Sequence, residues 1–132
     1  MEITAAALSN DPSGELHQAK TWEINHRGRG CNAQLAKKMG VQRYILPSSC
    51  SVYGFQEGVL NEETSTNPLT TYAKANLKAE QDVLPLADDN FTVVVIRQAT
   101  VYGLSHRVRF AHCDQWDGQR LRAKREDPGS SR

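Results

Sequence analysis

No stretch of the 132 residues approaches the ~20 consecutive apolar residues that a helix needs to cross a bilayer. The opening MEITAAALSNDP lacks the basic flank of a secretory signal. An excess of one charge is missing too. Sixteen Lys/Arg against 15 Asp/Glu leave a net +1, without the basic footprint of a nucleic-acid or anionic-membrane binder. Cysteine is scarce: Cys31, Cys50 and Cys113 show no CxxC spacing. Reduced thiols in a cytoplasmic protein fit better than a disulfide framework. His106, His112 and Cys113 lack metal-ligand spacing, so no metal site is expected. No GxxGxxG occurs, and Gly28-Arg29-Gly30 falls inside a helical segment rather than between a strand and a helix.

What is present, 39% hydrophobic and 23% charged residues, suits one globular domain on the polar side of ordinary. EITAAAL (Glu2 to Leu8) reads as a short buried strand closed by the turn-forming SNDPSG. Glu15 to Met39 is a helix ending at Gly40, weakened at Gly28 and Gly30 by ~1 kcal/mol each relative to Ala. QRYILP (Gln42 to Pro47) is a strand leading into SSCSVYG, and Phe55 to Pro68 is loop. Thr70 to Ala87 is helical. TVVVIR (Thr92 to Arg97) is a β-branched strand expected to be buried on both faces. This alternation predicts an α/β fold with a parallel sheet. Ala6 to Asn10, Ser48 to Gly54 and Gln98 to Gly103 then share the carboxyl rim, where ligands gather. Residues 111–132 hold five Arg/Lys and four Asp/Glu without apolar periodicity, and are expected to be a disordered tail.

The helix TTYAKANLKAE carries a tyrosine with two lysines nearby. At 100° per residue, Asn76, Ala79 and Val83 fall within about 40° of Tyr72. A second apolar stripe is Ala73, Leu77 and Leu84. Lys74, Lys78 and Gln81 form the solvent face. Neither lysine therefore shares the face of Tyr72; the residue one turn on is Asn76.

SSCSVYG, then NPLTTYAKANLKAE, then VVVIRQATVYG resembles the middle of the extended short-chain dehydrogenase/reductase family, the NAD-dependent sugar-nucleotide epimerases and dehydratases. AAALSNDP and EINHRG are similar to the preceding pieces, so the resemblance runs from about Ile3 to Phe110. It implies a partial Rossmann-like sheet of about three strands over residues 1–110, NAD as cofactor and a nucleotide sugar as substrate. By position, Ser49 resembles the catalytic serine and Tyr72 the catalytic tyrosine of YxxxK. Ala6, Ala7 and Asn25 fall where the family approaches or supports the dinucleotide. Thr100 and Tyr102 lie on the substrate side.

Such a site needs a tyrosine, ordinarily with a pKa of about 10, to exchange a proton near neutrality. A cation within a few ångströms is worth ~1–3 pKa units toward the phenolate. Here the lysine position is Asn76, which carries no charge. Cys50-Ser51 stand where the 4,6-dehydratases have Asp-Glu, favouring epimerase- or reductase-like chemistry over elimination. The resemblance also implies that the chain begins at the family's fourth strand, leaving a hydrophobic sheet edge open to self-association. HCDQWDGQ (His112 to Gln119) read one base later permits Ile-Ala-Ile-Asn-Gly-Met-Val, similar to the family's continuation, so a shifted reading frame is expected in the tail. Impaired catalysis and weak NAD binding follow as expectations; the alternative is a non-catalytic remnant or binding protein.

Plainer readings stand beside these. Ser48, Ser49 and Ser51 also suit a strand-to-loop turn. Tyr72 suits a half-buried helix position, Cys50 a small buried filler, and Glu62 and Glu63 loop charges.

Overall fold

A computed structural model of the chain describes residues 1–3, 6–8 and 11–99. Thr100, Tyr102 and the expected tail at 111–132 lie outside the described residues. Three strands, β1 (Glu2–Ile3), β2 (Arg43–Ser49) and β3 (Thr92–Gln98), form a parallel sheet in the order β1-β2-β3. Helices α1 (Asp11–Leu16), α2 (Gln18–Trp22) and α3 (Arg29–Lys38) connect β1 to β2, and α4 (Thr71–Val83) lies between β2 and β3. Crossover helices between parallel neighbours are the connection such a sheet requires. This is a Rossmann-like arrangement of three strands with flanking helices.

The helical stretch starts earlier than its sequence suggests, because Asp11–Leu16 is helical where a turn is expected. A proline in the first turn removes only an N–H that has no intrahelical partner there, so Pro12 does not oppose helix initiation. Between α2 and α3 the chain passes through a π-helical segment, Glu23–Gly28, and Glu23 and Arg29 at its ends keep right-handed helical backbone. Strand β2 runs two residues past the expected end at Pro47, since Ser48 and Ser49 still pair with Arg97 and Gln98. Helix α4 starts where expected: the Thr70 side chain caps it by accepting from the Ala73 N–H.

One face of the sheet is packed. Tyr44 and Leu46 of β2 meet Ala33 and Ala36 of α3, Ala79 and Val83 of α4, and Phe91. Alanines at these positions let both helix backbones approach the sheet closely. The apolar stripe on α4 differs from expectation: Leu84 is exposed and Leu77 only half-buried, while Ala75 and Glu80 are buried. The expected burial of β3 on both faces is likewise corrected. Its residues alternate, with Val94 45% and Ile96 43% exposed, because the described helices cover only one side.

The buried charge on α4 is met from the sheet. Glu80 is 1% exposed. It accepts from the Ser48 hydroxyl at the end of β2 and from Arg97 of β3, at 3.0 Å from Nε and 2.7 Å from Nη2. Arg97 also donates to the Tyr53 hydroxyl at 2.8 Å and lies over its ring, 4.9 Å from the centroid. The Glu80 carboxylate holds the Arg97 guanidinium above its ordinary value, against the opposing effect of burial. One ionic cluster thus ties α4 to β2, β3 and the turn after β2. Removing one partner of a buried pair typically costs about 3–5 kcal/mol. Glu80→Gln is therefore expected to lower the unfolding free energy by roughly 3 kcal/mol in urea titration. Adding Arg97→Met should recover most of that loss.

Candidate active site

The parallel sheet brings the ends of β1, β2 and β3 to one rim, and three segments there carry the candidate residues. After β1, the Ala6-Ala7-Leu8 backbone is fastened by Asn25 of the π-helical segment. The Leu8 N–H donates to Asn25 Oδ1 at 2.8 Å, and Asn25 Nδ2 donates back to the Leu8 carbonyl at 3.0 Å. Asn25 is fully buried and its amide is engaged at both ends. It supports the segment rather than projecting from it. Ala6 is exposed and Ala7 half-buried.

After β2, Ser49 opens a 3-10 turn at Cys50–Tyr53, and its Oγ accepts from the Ser51 N–H at 3.2 Å and the Ser51 hydroxyl at 3.0 Å. The turn-capping reading of this serine therefore holds. Because Oγ only accepts in these contacts, its own hydrogen stays available to a further acceptor. Cys50, expected as a buried filler, is exposed, since Val52 and Tyr53 take the inward positions of the turn. Gly54 closes the turn with φ +66°, and a Cβ there would sit 2.0 Å from the Asn67 carbonyl oxygen. Only glycine fits that crossing.

Tyr72 stands half-buried in the first turn of α4. Helix α1 presses on it: a Cβ on the buried Gly14 would lie 3.1 Å from Tyr72 Cβ. Beside it, the Glu15 carboxylate accepts from the Thr71 N–H at 2.5 Å. One turn on, Asn76 is 0% exposed. Its Nδ2 donates to the Tyr72 carbonyl at 3.0 Å and its Oδ1 accepts from Arg29 Nη1 at 2.5 Å. Arg29, only 4% exposed, also reaches the Ala6 carbonyl at 3.5 Å through Nε. Lys74 and Lys78 are exposed, and Lys78 pairs with Asp82 at 2.8 Å.

Arg29, Glu80 and Arg97 are absent from the sequence-derived candidates. Thr21, Asn25 and Arg29 are buried polar residues spaced by four; the spacing stands in the sequence, but the burial does not. The widened π-helical turn keeps such residues on one face. Glu80 follows Asn76 by four on the buried side of α4. A cleft of about 760 Å³ opens beside Tyr53, Glu80 and Arg97, but neither Ser49 nor Tyr72 lines it, and it carries no assignment.

Residues 2–115 match the family model described as the NAD-dependent epimerase/dehydratase family. The chain belongs to that family. A curated relative, an uncharacterized UDP-glucose epimerase, YtcB, of Bacillus subtilis (strain 168), is 30% identical over 76 residues, covering 56% of this chain and 24% of the relative. Among solved structures, RMD from Pseudomonas aeruginosa complexed with NADPH aligns with a TM-score of 0.68 at 27% identity, over 74% of this chain and 34% of that one. MoeE5 in complex with UDP-glucose and NAD aligns with a TM-score of 0.64 at 26% identity, over 70% and 31%. This family member thus spans about a quarter to a third of the length of these relatives.

The contact that sets α1 against α4 is an acid-sensitive one. The Thr71 and Gln18 hydrogen bonds hold Glu15 below its ordinary value of 4.5, the Thr71 backbone bond first. A carboxylate depressed by folding adds stability that is complete above its unfolded pKa and lost as pH falls through the lower folded one. The Thr71 amide resonance should therefore titrate with a midpoint below 4.5, and Glu15→Gln should abolish that titration in an NMR pH series.

Proposed function

We propose that this chain carries the proton-transfer side of a site that converts nucleotide-activated sugars by NAD-dependent chemistry. Tyr72 is the acid/base, Ser49 completes the proton path, and the Ala6-Ala7 backbone borders the cofactor. The observation behind this reading is the arrangement on the rim in a member of this family. Ser49 keeps an undonated hydroxyl hydrogen at the end of β2, and Tyr72 is held by α1 at the start of the helix that crosses it. That MoeE5 was solved with UDP-glucose and NAD supports both ligand classes.

In the proposed reaction, Tyr72 as phenolate takes the proton from a sugar hydroxyl and becomes a neutral phenol. Ser49 donates its free hydrogen to the same oxygen, orienting it for the transfer. Hydride exchange at the sugar carbon is the chemistry that a nicotinamide supplies when bound. The exposed Cys50 and hydrogen-bonded Ser51 offer no carboxylate pair for eliminating water, so an epimerase- or reductase-like outcome is favoured. Thr100 and Tyr102 would complete the substrate side.

A second reading, a binding protein without turnover, is favoured by the neutral Asn76 where the resemblance implies lysine. The two separate in one assay of UDP-sugar conversion with NAD. Proton transfer by a positioned side chain is typically worth 10²–10⁴-fold. Tyr72→Phe should cost turnover at least about 100-fold and Ser49→Ala about tenfold or more. Turnover that survives Tyr72→Phe would remove Tyr72 from the reaction, and no conversion of any UDP-sugar by the unsubstituted protein would leave the binding reading.

A further inference from the structure

Position 76 of α4 carries no cation, but α3 brings one to it. Arg29 is buried with its guanidinium on Asn76, one helical turn from Tyr72 and at the position where the resemblance implies lysine. An arginine stays protonated even when buried. Among the described side chains no carboxylate forms an ion pair with it. A buried cation without a counter-ion is costly, and any negative charge that forms beside it is correspondingly favoured. Burial pushes the guanidinium down from its ordinary value, and attraction to the hydroxyls of Tyr72 and then Tyr44 works the other way.

We propose that Arg29 is a positioning residue that stabilises the Tyr72 phenolate from the neighbouring helix, with Asn76 as the adaptor that fixes the guanidinium to α4. This rests on the reading of Tyr72 as the proton-transfer group. Lysine at position 76 would bring a second cation against the same guanidinium. An amide instead accepts from Arg29 while its other end donates to the Tyr72 carbonyl. The triad of Arg29, Asn76 and Tyr72 thus moves the positive charge from α4 to α3 without leaving its vicinity.

Among the described side chains, the other charged groups near the start of α4 are engaged elsewhere or exposed. Helix α1 brings Glu15, engaged with Thr71. Lys20 of α2, Glu23 and Arg27 of the π-helical segment and Lys74 of α4 are exposed, and His26 is taken up by Asp82 at 2.6 Å. On β2, the Tyr44 hydroxyl donates to the Arg29 carbonyl at 3.4 Å.

The test is an NMR titration of the chain labelled with ¹³Cζ-tyrosine, the Tyr72 signal being assigned by its loss in Tyr72→Phe. In Arg29→Gln the ionisation midpoint of Tyr72 should move to higher pH by about one unit or more. It should return in Arg29→Lys, while that of Tyr53, which contacts Arg97 instead, stays in place. A Tyr72 midpoint that ignores Arg29→Gln overturns the proposal. So does an Arg29→Lys protein that behaves like Arg29→Gln, because packing rather than charge would then be responsible. Should Arg29→Gln fail to fold, Asn76→Asp sets a carboxylate on the guanidinium and must give the same upward displacement; an unmoved midpoint there overturns the proposal equally. A midpoint that follows Arg29 in a protein without sugar turnover keeps the charge coupling and removes the proposed reaction. Turnover abolished by Tyr72→Phe with an unmoved midpoint does the reverse.

Discussion

Helix α4 buries two polar side chains, Asn76 and Glu80, on the face that packs into the fold, and the remaining contacts follow from satisfying them. A buried amide or carboxylate without partners costs more than any single apolar contact on that face returns. Each is met by an arginine from a different element: Asn76 by Arg29 of α3, Glu80 by Arg97 of β3. Between these two anchors the helix has little freedom to slide or rotate. Its first turn, with Tyr72, is thereby set relative to the ends of β1 and β2.

The same two anchors reach the rim. Arg29 touches the Ala6 carbonyl after β1, and Glu80 takes the Ser48 hydroxyl beside Ser49 at the end of β2. The contacts that stabilise the layer of helices on the sheet thus also align the segments proposed to hold cofactor and substrate. In the proposed reaction Tyr72 acts as a phenolate, and the nearby charge comes from the anchoring arginine of α3. Structural support and chemical activation would then share one residue, with the neutral Asn76 linking it to α4.

Much of this architecture is legible in the sequence. The β-branched run TVVVIR, the tyrosine helix and the alternation of elements all declare themselves through local pattern. The position of the neutral Asn76 relative to Tyr72 follows from helical spacing alone. What escapes a sequence reading is pairing between distant residues. Arg29 and Asn76 are 47 positions apart, and an arginine between two glycines reads as a surface residue until the helix bearing it is packed. Glu80 is hidden for the same reason: a carboxylate among lysines looks solvated, and its burial depends on Arg97 arriving from β3. The open face of β3 could not be read either, because a β-branched run does not say how many layers cover it.

The claim that residues 29 and 76 share one buried site for one cation is tested most directly by a double-mutant cycle on unfolding free energy. Asn76→Lys alone sets a second cation against Arg29 and should destabilise the protein. Combining it with Arg29→Gln, which relocates the charge to α4, should recover stability, with a favourable coupling of about 1–3 kcal/mol. Additive effects of the two substitutions would contradict a shared site.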